Sequence, residues 1–354
     1  MADLPDLPEL IVHIGAGKAG STSLQFTLMR NAEALAAARL SYLGLALEEV
    51  PGATAAHDWC ERDRPQLFFA SRPDEAIEAQ IEQVLRDELA RLAAAGITRA
   101  VWSNEAFLVQ KWRILRLLKK LANDGVRVRP VVYTRRHDKR AVSAYTEFEI
   151  RSKRHQGALH PYAEWLDGAA ARLTYADHVE TWANHFPNVE LYNFDEIGDV
   201  SQHFCGQILG LEGLSSERAN EARAPGLTAA WTVYSGSRQG ATWAADFRRL
   251  AGPLQIMRDG PGPVPKPAEL LPDADDIAAT QERFREDLQK INARLEAQGQ
   301  PPMIFDEIRP PQVDPSDWEL QQMLFRMAFA LQAQVLALKD EVAGLRRKLE
   351  ERDE

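Results

Sequence analysis

Cysteine is nearly absent: Cys60 and Cys205 are the only two among 354 residues. Two thiols provide no disulfide framework and no cysteine-based zinc site. Long apolar runs are missing as well. No stretch of about 18 apolar residues occurs, so no membrane span is expected. The opening MADLPDLPEL is acidic and proline-bearing, unlike a signal peptide. Positive charge is in deficit, with 42 Lys and Arg against 52 Asp and Glu and a net charge of −10, which argues against a general nucleic-acid binder. These absences point to a soluble protein of the reducing cytoplasm. What remains is an ordinary globular composition, 45% hydrophobic and 27% charged. The length is ample for a sizeable core and matches a prior of about two domains.

The deficit of positive charge is uneven. Lys111 to Arg154 holds fourteen Lys or Arg against four Asp or Glu, a local +10 that leaves −20 for the rest. A basic stretch in an acidic chain suggests one anionic ligand. Lys111, Arg113, Arg116, Lys119 and Lys120 read equally well as a solvated helix face. Arg135 and Arg136 fit that description less well, because they follow an apolar, strand-like run.

The pattern along the chain alternates strand and helix. Leu10–Ile14 is an apolar run ending in Gly15-Ala16-Gly17-Lys18-Ala19-Gly20-Ser21-Thr22, and Ser23–Leu40 reads as a helix. Residues 44–75 lack periodicity and read as loop or lid. A helix follows over 75–95, stopped at Gly96, then a strand at 99–103 with Asn104-Glu105 beyond it. A basic helix covers 110–123, a strand Val126–Thr134, helical stretches begin near Asp138 and span 162–185, and a last strand covers Val189–Asn193. This order predicts an α/β fold, with a parallel sheet flanked by helices. Residues 260–272 and 299–316 are rich in Pro and Gly and read as linkers. Beyond the second, Leu324, Ala328, Leu331, Val335, Leu338, Val342, Leu345 and Leu349 repeat at 4-3 spacing. The expected organisation is therefore a domain over 1–298, a linker over 299–316, and a C-terminal helix over 317–354 that forms a coiled coil with a second copy.

Gly15, Gly17 and Gly20 form a literal G-x-G-x-x-G between strand and helix. Alone, this is the weak fingerprint of a dinucleotide site. Glycines admit an anion to backbone N–H groups, and the helix N-terminus adds partial positive charge. Lys18 lies inside the loop, where a nicotinamide site gains nothing from it. A Walker loop would need its lysine directly after Gly20, where this chain has Ser21.

The arrangement resembles the 5′-phosphosulfate loop of sulfotransferases that use 3′-phosphoadenylyl sulfate (PAPS), whose pattern is Lys-Thr-Gly-Thr/Ser-Thr. Here it reads Lys18-Ala19-Gly20-Ser21-Thr22, departing at Ala19. The stretch from His13 to Gln25 is similar to the bacterial branch of the family. A second motif of that family, an Arg after the third strand and a Ser eight residues later, is matched by Arg135 and Ser143. The resemblance covers roughly residues 10–215 and thins beyond. It implies a P-loop-type sheet and sulfuryl transfer to a hydroxyl or amine, on a saccharide or glycolipid acceptor. Gly17, Lys18, Gly20, Ser21, Thr22 and Ser23 would hold the donor's 5′-phosphosulfate, and Arg135 and Ser143 its 3′-phosphate.

Sulfuryl transfer is an in-line displacement with charge building on the leaving oxygen. Lys18 is the natural partner for that oxygen. No carboxylate cluster of metal spacing accompanies the loop, so no metal is expected. The candidates for general base are His57 in the irregular segment, Glu105 past the second strand and, ranked last, His137. Arg136 and Lys153 read foremost as surface residues, with a hold on cofactor or an anionic acceptor as the second reading. Two other readings stay open: an NAD-dependent oxidoreductase using the glycine loop, with Glu48 as its acidic residue, and a catalytically inactive scaffold acting through the C-terminal heptads.

Overall fold

In a computed structural model of the chain, the described residues are 7–60, 75–214, 225–236, 238–243, 270–305 and isolated positions from 245 to 344. They contain a five-stranded, all-parallel sheet of order β2-β3-β1-β4-β5. The strands are β1 (Glu9–His13), β2 (Leu40–Tyr42), β3 (Arg99–Ser103), β4 (Val128–Thr134) and β5 (Glu190–Asn193). Four of the five residues of β1 are buried, because helices cover both faces of the sheet. The expected α/β architecture is therefore observed.

Contacts divide the chain into two compact units. The first comprises Met1–Arg140, Ala170–Glu221 and Thr280–Asp306; the second comprises Ala141–Ala169, Ala222–Ala279 and Glu307–Glu354. The sheet and its aliphatic core belong to the first unit. The start of the proline-rich segment belongs there too: Met303 is buried, and its amide and carbonyl pair with the Asn292 side chain at 2.8 Å each. The second unit is built on a π-helix (Thr146–Arg151), the helix Pro225–Gly236, and an aromatic cluster of Tyr145, Tyr162 and Trp165.

Several boundaries differ from the sequence reading for local reasons. The expected helix 23–40 is two helices, Ser21–Arg30 and Ala32–Ala37. The Asn31 side chain donates to the Thr27 carbonyl at 2.7 Å where the first one ends. Arg39 then turns through a positive φ of 57°, and β2 begins at the next residue. β4 starts at Val128 rather than Val126. Gly125 sits at φ 94°, and the Val126 amide is used to close the preceding helix on Leu121. The helix expected over 162–185 breaks between Leu173 and Ala176. There Arg140 donates to the carbonyls of Arg172 and Leu173, while the Asp287 carboxylate accepts the amides of Tyr175 and Ala176. Remote side chains thus cap both new ends.

Of the eight C-terminal heptad positions, five are among the described residues. Leu324, Leu331, Val335, Leu338 and Val342 are described and helical, and all but Leu331 are exposed. Ala328, Leu345 and Leu349 lie outside the described residues. No described helix is long and apolar enough to cross a membrane.

Candidate functional site

β1 is central, with β3 on one side and β4 on the other. The chain leaves β1 toward the β2 edge and leaves β4 toward β5. The crevice at the carboxyl ends of β1 and β4 is thus a topological switch point, where open α/β sheets take ligands. The glycine loop and Arg135 both stand there.

The loop is held in an uncommon conformation. Lys18 has φ 73° and Gly20 has φ 82°. The left-handed region costs a non-glycine residue roughly 1 kcal/mol or more, so contacts must hold Lys18 in it. Arg135 Nη1 donates to the Lys18 carbonyl at 2.9 Å, and Arg140 Nε reaches the Gly17 carbonyl at 3.4 Å. Gly15 and Gly20 are required sterically. A Cβ at Gly15 would lie 2.8 Å from Ser21 Oγ and 3.2 Å from Glu105 Cα, and one at Gly20 would lie 3.0 Å from the Val200 side chain. Gly17 differs from both, because nothing lies within 4 Å of its added Cβ. Its open face is where an anion could approach the backbone. Ala19, the departure from the family pattern, is buried in the core.

Three buried polar atoms here lack a hydrogen-bond partner among the described residues: Ser21 Oγ, Arg135 Nε and His13 Nε2. Other such atoms occur elsewhere in the chain, but a cluster of three at a loop suits a polar ligand. The Arg135 guanidinium lies over the Phe194 ring at 5.2 Å, and burial lowers its proton affinity. The Gly20 amide end of Ser21–Arg30 carries no side-chain cap, leaving the first-turn N–H groups for an anion.

Of the expected site residues, the structure gathers Gly17, Lys18, Gly20, Ser21 and Arg135, with Thr22 and Ser23 in the first helical turn. Glu105 is exposed, and its backbone abuts Gly15. His57 closes the short helix Ala53–Ala56, and its ring stacks on Trp59 at 4.8 Å. Ser143 lies on the helix His137–Tyr145, within the second unit. His137 is buried against Asp287 at 2.7 Å, and desolvation lowers its pKa.

The surface reading of Arg136 and Lys153 is corrected. Arg136 is buried in a bidentate pair with Asp138, at 2.8 and 3.1 Å. Lys153 is fully buried, its ammonium donating to the carbonyls of Gly157 at 2.7 Å, Ser235 at 3.1 Å and Arg238. Lys111 is buried as well, bonded to His178 at 3.0 Å, with its pKa lowered by desolvation. Glu48 is occupied in its own turn, accepting the amides of Leu45 and Ala46. Since β2 lies at the sheet edge, outside β3, Glu48 is not beside the loop as a dinucleotide site requires.

Sequence reasoning assigned no role to His13 or Arg140. His13 is fully buried, bonded to Ser103 Oγ at 2.8 Å, and burial pushes its pKa down to about 3. It is a neutral ring supporting the loop's base. Arg140 ties the Gly17 carbonyl to Leu173 and lies 4.5 Å over the Tyr175 ring. Its distance in sequence from both partners hid it.

No family model matches the chain, and no curated protein matches it. Among solved structures, it is similar to a sulfotransferase from Alicyclobacillus acidocaldarius, at 16% identity and a TM-score of 0.35. That alignment covers 64% of this chain and 91% of the other. An overlap of this size says nothing about activity.

Proposed function

We propose that the chain is a cytoplasmic sulfotransferase that moves a sulfuryl group from PAPS to a hydroxyl or amine of an acceptor, a saccharide or glycolipid. One observation carries this reading: a lysine held in a left-handed turn by an arginine from the neighbouring strand, at the switch point, beside an orphaned buried hydroxyl. A nicotinamide loop uses neither cation.

The donor would supply an activated sulfuryl group on a good leaving phosphate. In this reading Gly17 and the amides of the first helical turn bind the 5′-phosphate, and Ser21 Oγ and Thr22 donate to its oxygens. Lys18 Nζ stabilises the charge that grows on the bridging oxygen as the S–O bond breaks. Arg135 binds the 3′-phosphate through its Nε edge, and the resemblance assigns Ser143 to the same phosphate. The acceptor oxygen or nitrogen forms the new bond to sulfur, and its proton passes to a carboxylate. Glu105 suits that role better than His57, because it borders Gly15 while the His57 ring rests on Trp59. Both cysteines are buried, and burial raises Cys60 to about 12 and Cys205 to about 11, so neither serves as a nucleophile.

The test is thermal stabilisation by adenosine 3′,5′-bisphosphate compared with NAD, followed by transfer of labelled sulfate from PAPS to a panel of glycans. Stabilisation by the bisphosphate alone, with a labelled product, supports the reading. Stabilisation by NAD alone would overturn it, and none by either would favour an inactive scaffold. Self-association is proposed for the C-terminal helix, in which Leu324, Val335, Leu338 and Val342 are exposed. Cutting the chain near residue 315 should lower the mass seen by light scattering and leave bisphosphate binding unchanged.

A further inference from the structure

The second unit holds a cluster that the transfer reading leaves unused. Glu149 is buried on the π-helix, with its side chain only 3% exposed. Its Oε1 accepts from His155 Nε2 at 2.8 Å, His160 Nδ1 at 3.0 Å and the His160 amide at 2.7 Å. The two imidazole rings lie 4.1 Å apart between centroids. Two ring nitrogens and one carboxylate oxygen therefore converge on one point.

Each ring also meets an oxygen on its far side. His155 Nδ1 is 3.0 Å from the Gln156 carbonyl, and His160 Nε2 is 3.8 Å from a Glu164 carboxylate oxygen. A neutral imidazole has one N–H to donate. His155 has an oxygen at hydrogen-bond distance on each side and cannot satisfy both with one hydrogen, whereas the outer oxygen of His160 lies beyond hydrogen-bond reach. Two arrangements resolve the count, a second proton on the ring or a metal ion in the centre. In the second, each inner nitrogen offers its lone pair to the ion, and each outer N–H points at an oxygen. That outer carbonyl and carboxylate pattern is the usual support of metal-bound histidine.

The dimensions agree. Ligands at roughly 2.0–2.1 Å around a tetrahedral zinc lie about 3.3 Å from one another. The observed 2.8 and 3.0 Å would need to open by only a few tenths of an ångström. The frame is fixed in advance. The Lys153 ammonium clamps the Gly157 carbonyl, the Gly157 amide bonds the Gln239 carbonyl at 2.8 Å, and Tyr145 OH donates to the His160 carbonyl at 2.8 Å. The side chains of His155 and His160 are 29% and 39% exposed, which gives an ion a way in and leaves a fourth position for water.

We infer that Glu149, His155 and His160 form a binding site for a divalent transition-metal ion, with zinc as its best-suited occupant. The sequence reading expected no metal. That expectation considered carboxylates near the glycine loop, whereas this cluster joins one carboxylate to two histidines in the other unit. It stands independently of the sulfuryl-transfer reading.

The experiment is calorimetric titration of metal-stripped, tag-free, full-length protein with zinc chloride, with X-ray absorption on the loaded sample. One equivalent should bind, with a spectrum of two imidazoles and oxygen. His155→Ala and His160→Ala should each weaken binding at least tenfold, a loss at the lower end of that seen for supporting residues alone. His185→Ala, an exposed histidine elsewhere, should leave it unchanged. Absence of binding, equal binding by the His155 and His160 variants, or a spectrum without imidazole would overturn the site. Should a variant fail to fold by circular dichroism, the wild-type spectrum decides alone.

Discussion

Two groups of cations in the same basic stretch are used in opposite ways. On the helix Lys111–Asn123, Arg116 pairs with Glu78, and Lys120 pairs with Glu82 at 2.9 Å. Their partners lie on the helix Glu75–Ala94, so this charge joins two surface helices. At the end of β4, by contrast, Arg135 and Arg140 donate to loop carbonyls, and the Arg135 Nε stays buried without a partner among the described residues. Local charge density therefore does not mark a ligand site. What marks it is whether the surrounding fold supplies the counter-charge. Around the helix, acidic neighbours do so. Around the loop, Arg135 and Arg140 bond to carbonyls and lie over aromatic rings, and Asp195 and Asp138 act on Arg135 through space without an ion pair to it among the described residues.

Breaking the loop side of this contrast should have the largest effect. Lys18→Ala should lower sulfuryl transfer about 10²- to 10³-fold, the usual cost of one preorganised donor at a leaving group, while the melting temperature stays close to wild type. Arg135→Ala comes next. Removing a charged hydrogen-bond donor costs about 1.5–3 kcal/mol, so adenosine 3′,5′-bisphosphate should bind about ten- to a hundredfold more weakly. Because Arg135 also holds the Lys18 carbonyl, kcat should fall along with the rise in donor KM, and steady-state kinetics would separate the two.

The glycines sharpen the comparison within the loop. Gly20→Ala forces a Cβ into a left-handed residue and against Val200, costing about 1–2 kcal/mol and a few degrees in melting temperature. Gly17→Ala meets no protein atom, so the melting curve should not move, yet bisphosphate binding should weaken. The smallest effect belongs to the helix pairs. Arg116→Ala and Lys120→Ala remove exposed ion pairs, each worth about 0–1 kcal/mol, and should leave nucleotide binding untouched.

Much of the fold could be read in the sequence because its signals are local. The strands at 10–13, 99–103 and 128–134 are apolar, and Gly96 and Gly125 end their helices at positive φ. β2 was missed because three residues between a helix and a loop carry no periodicity. The break at Tyr175 was missed because its caps, Arg140 and Asp287, come from far along the chain. The glycine loop stood out because its elements are contiguous. Arg140, His13 and the burial of Arg136 and Lys153 did not, since each is defined by partners a strand or a helix away. The Glu149, His155 and His160 spacing matches no familiar metal motif, and a π-helix with a clamped turn brings it together.

The most direct test of the central claim is a bisphosphate titration of four proteins: wild type, Lys18→Ala, Arg135→Ala, and the double variant Arg116→Ala/Lys120→Ala. The account predicts wild-type affinity in the double variant and at least tenfold losses in Arg135→Ala, with a smaller loss in Lys18→Ala, whose charge acts mainly on the reacting oxygen. Equal weakening by the helix pair and by Arg135, or no binding to the wild type, would contradict it.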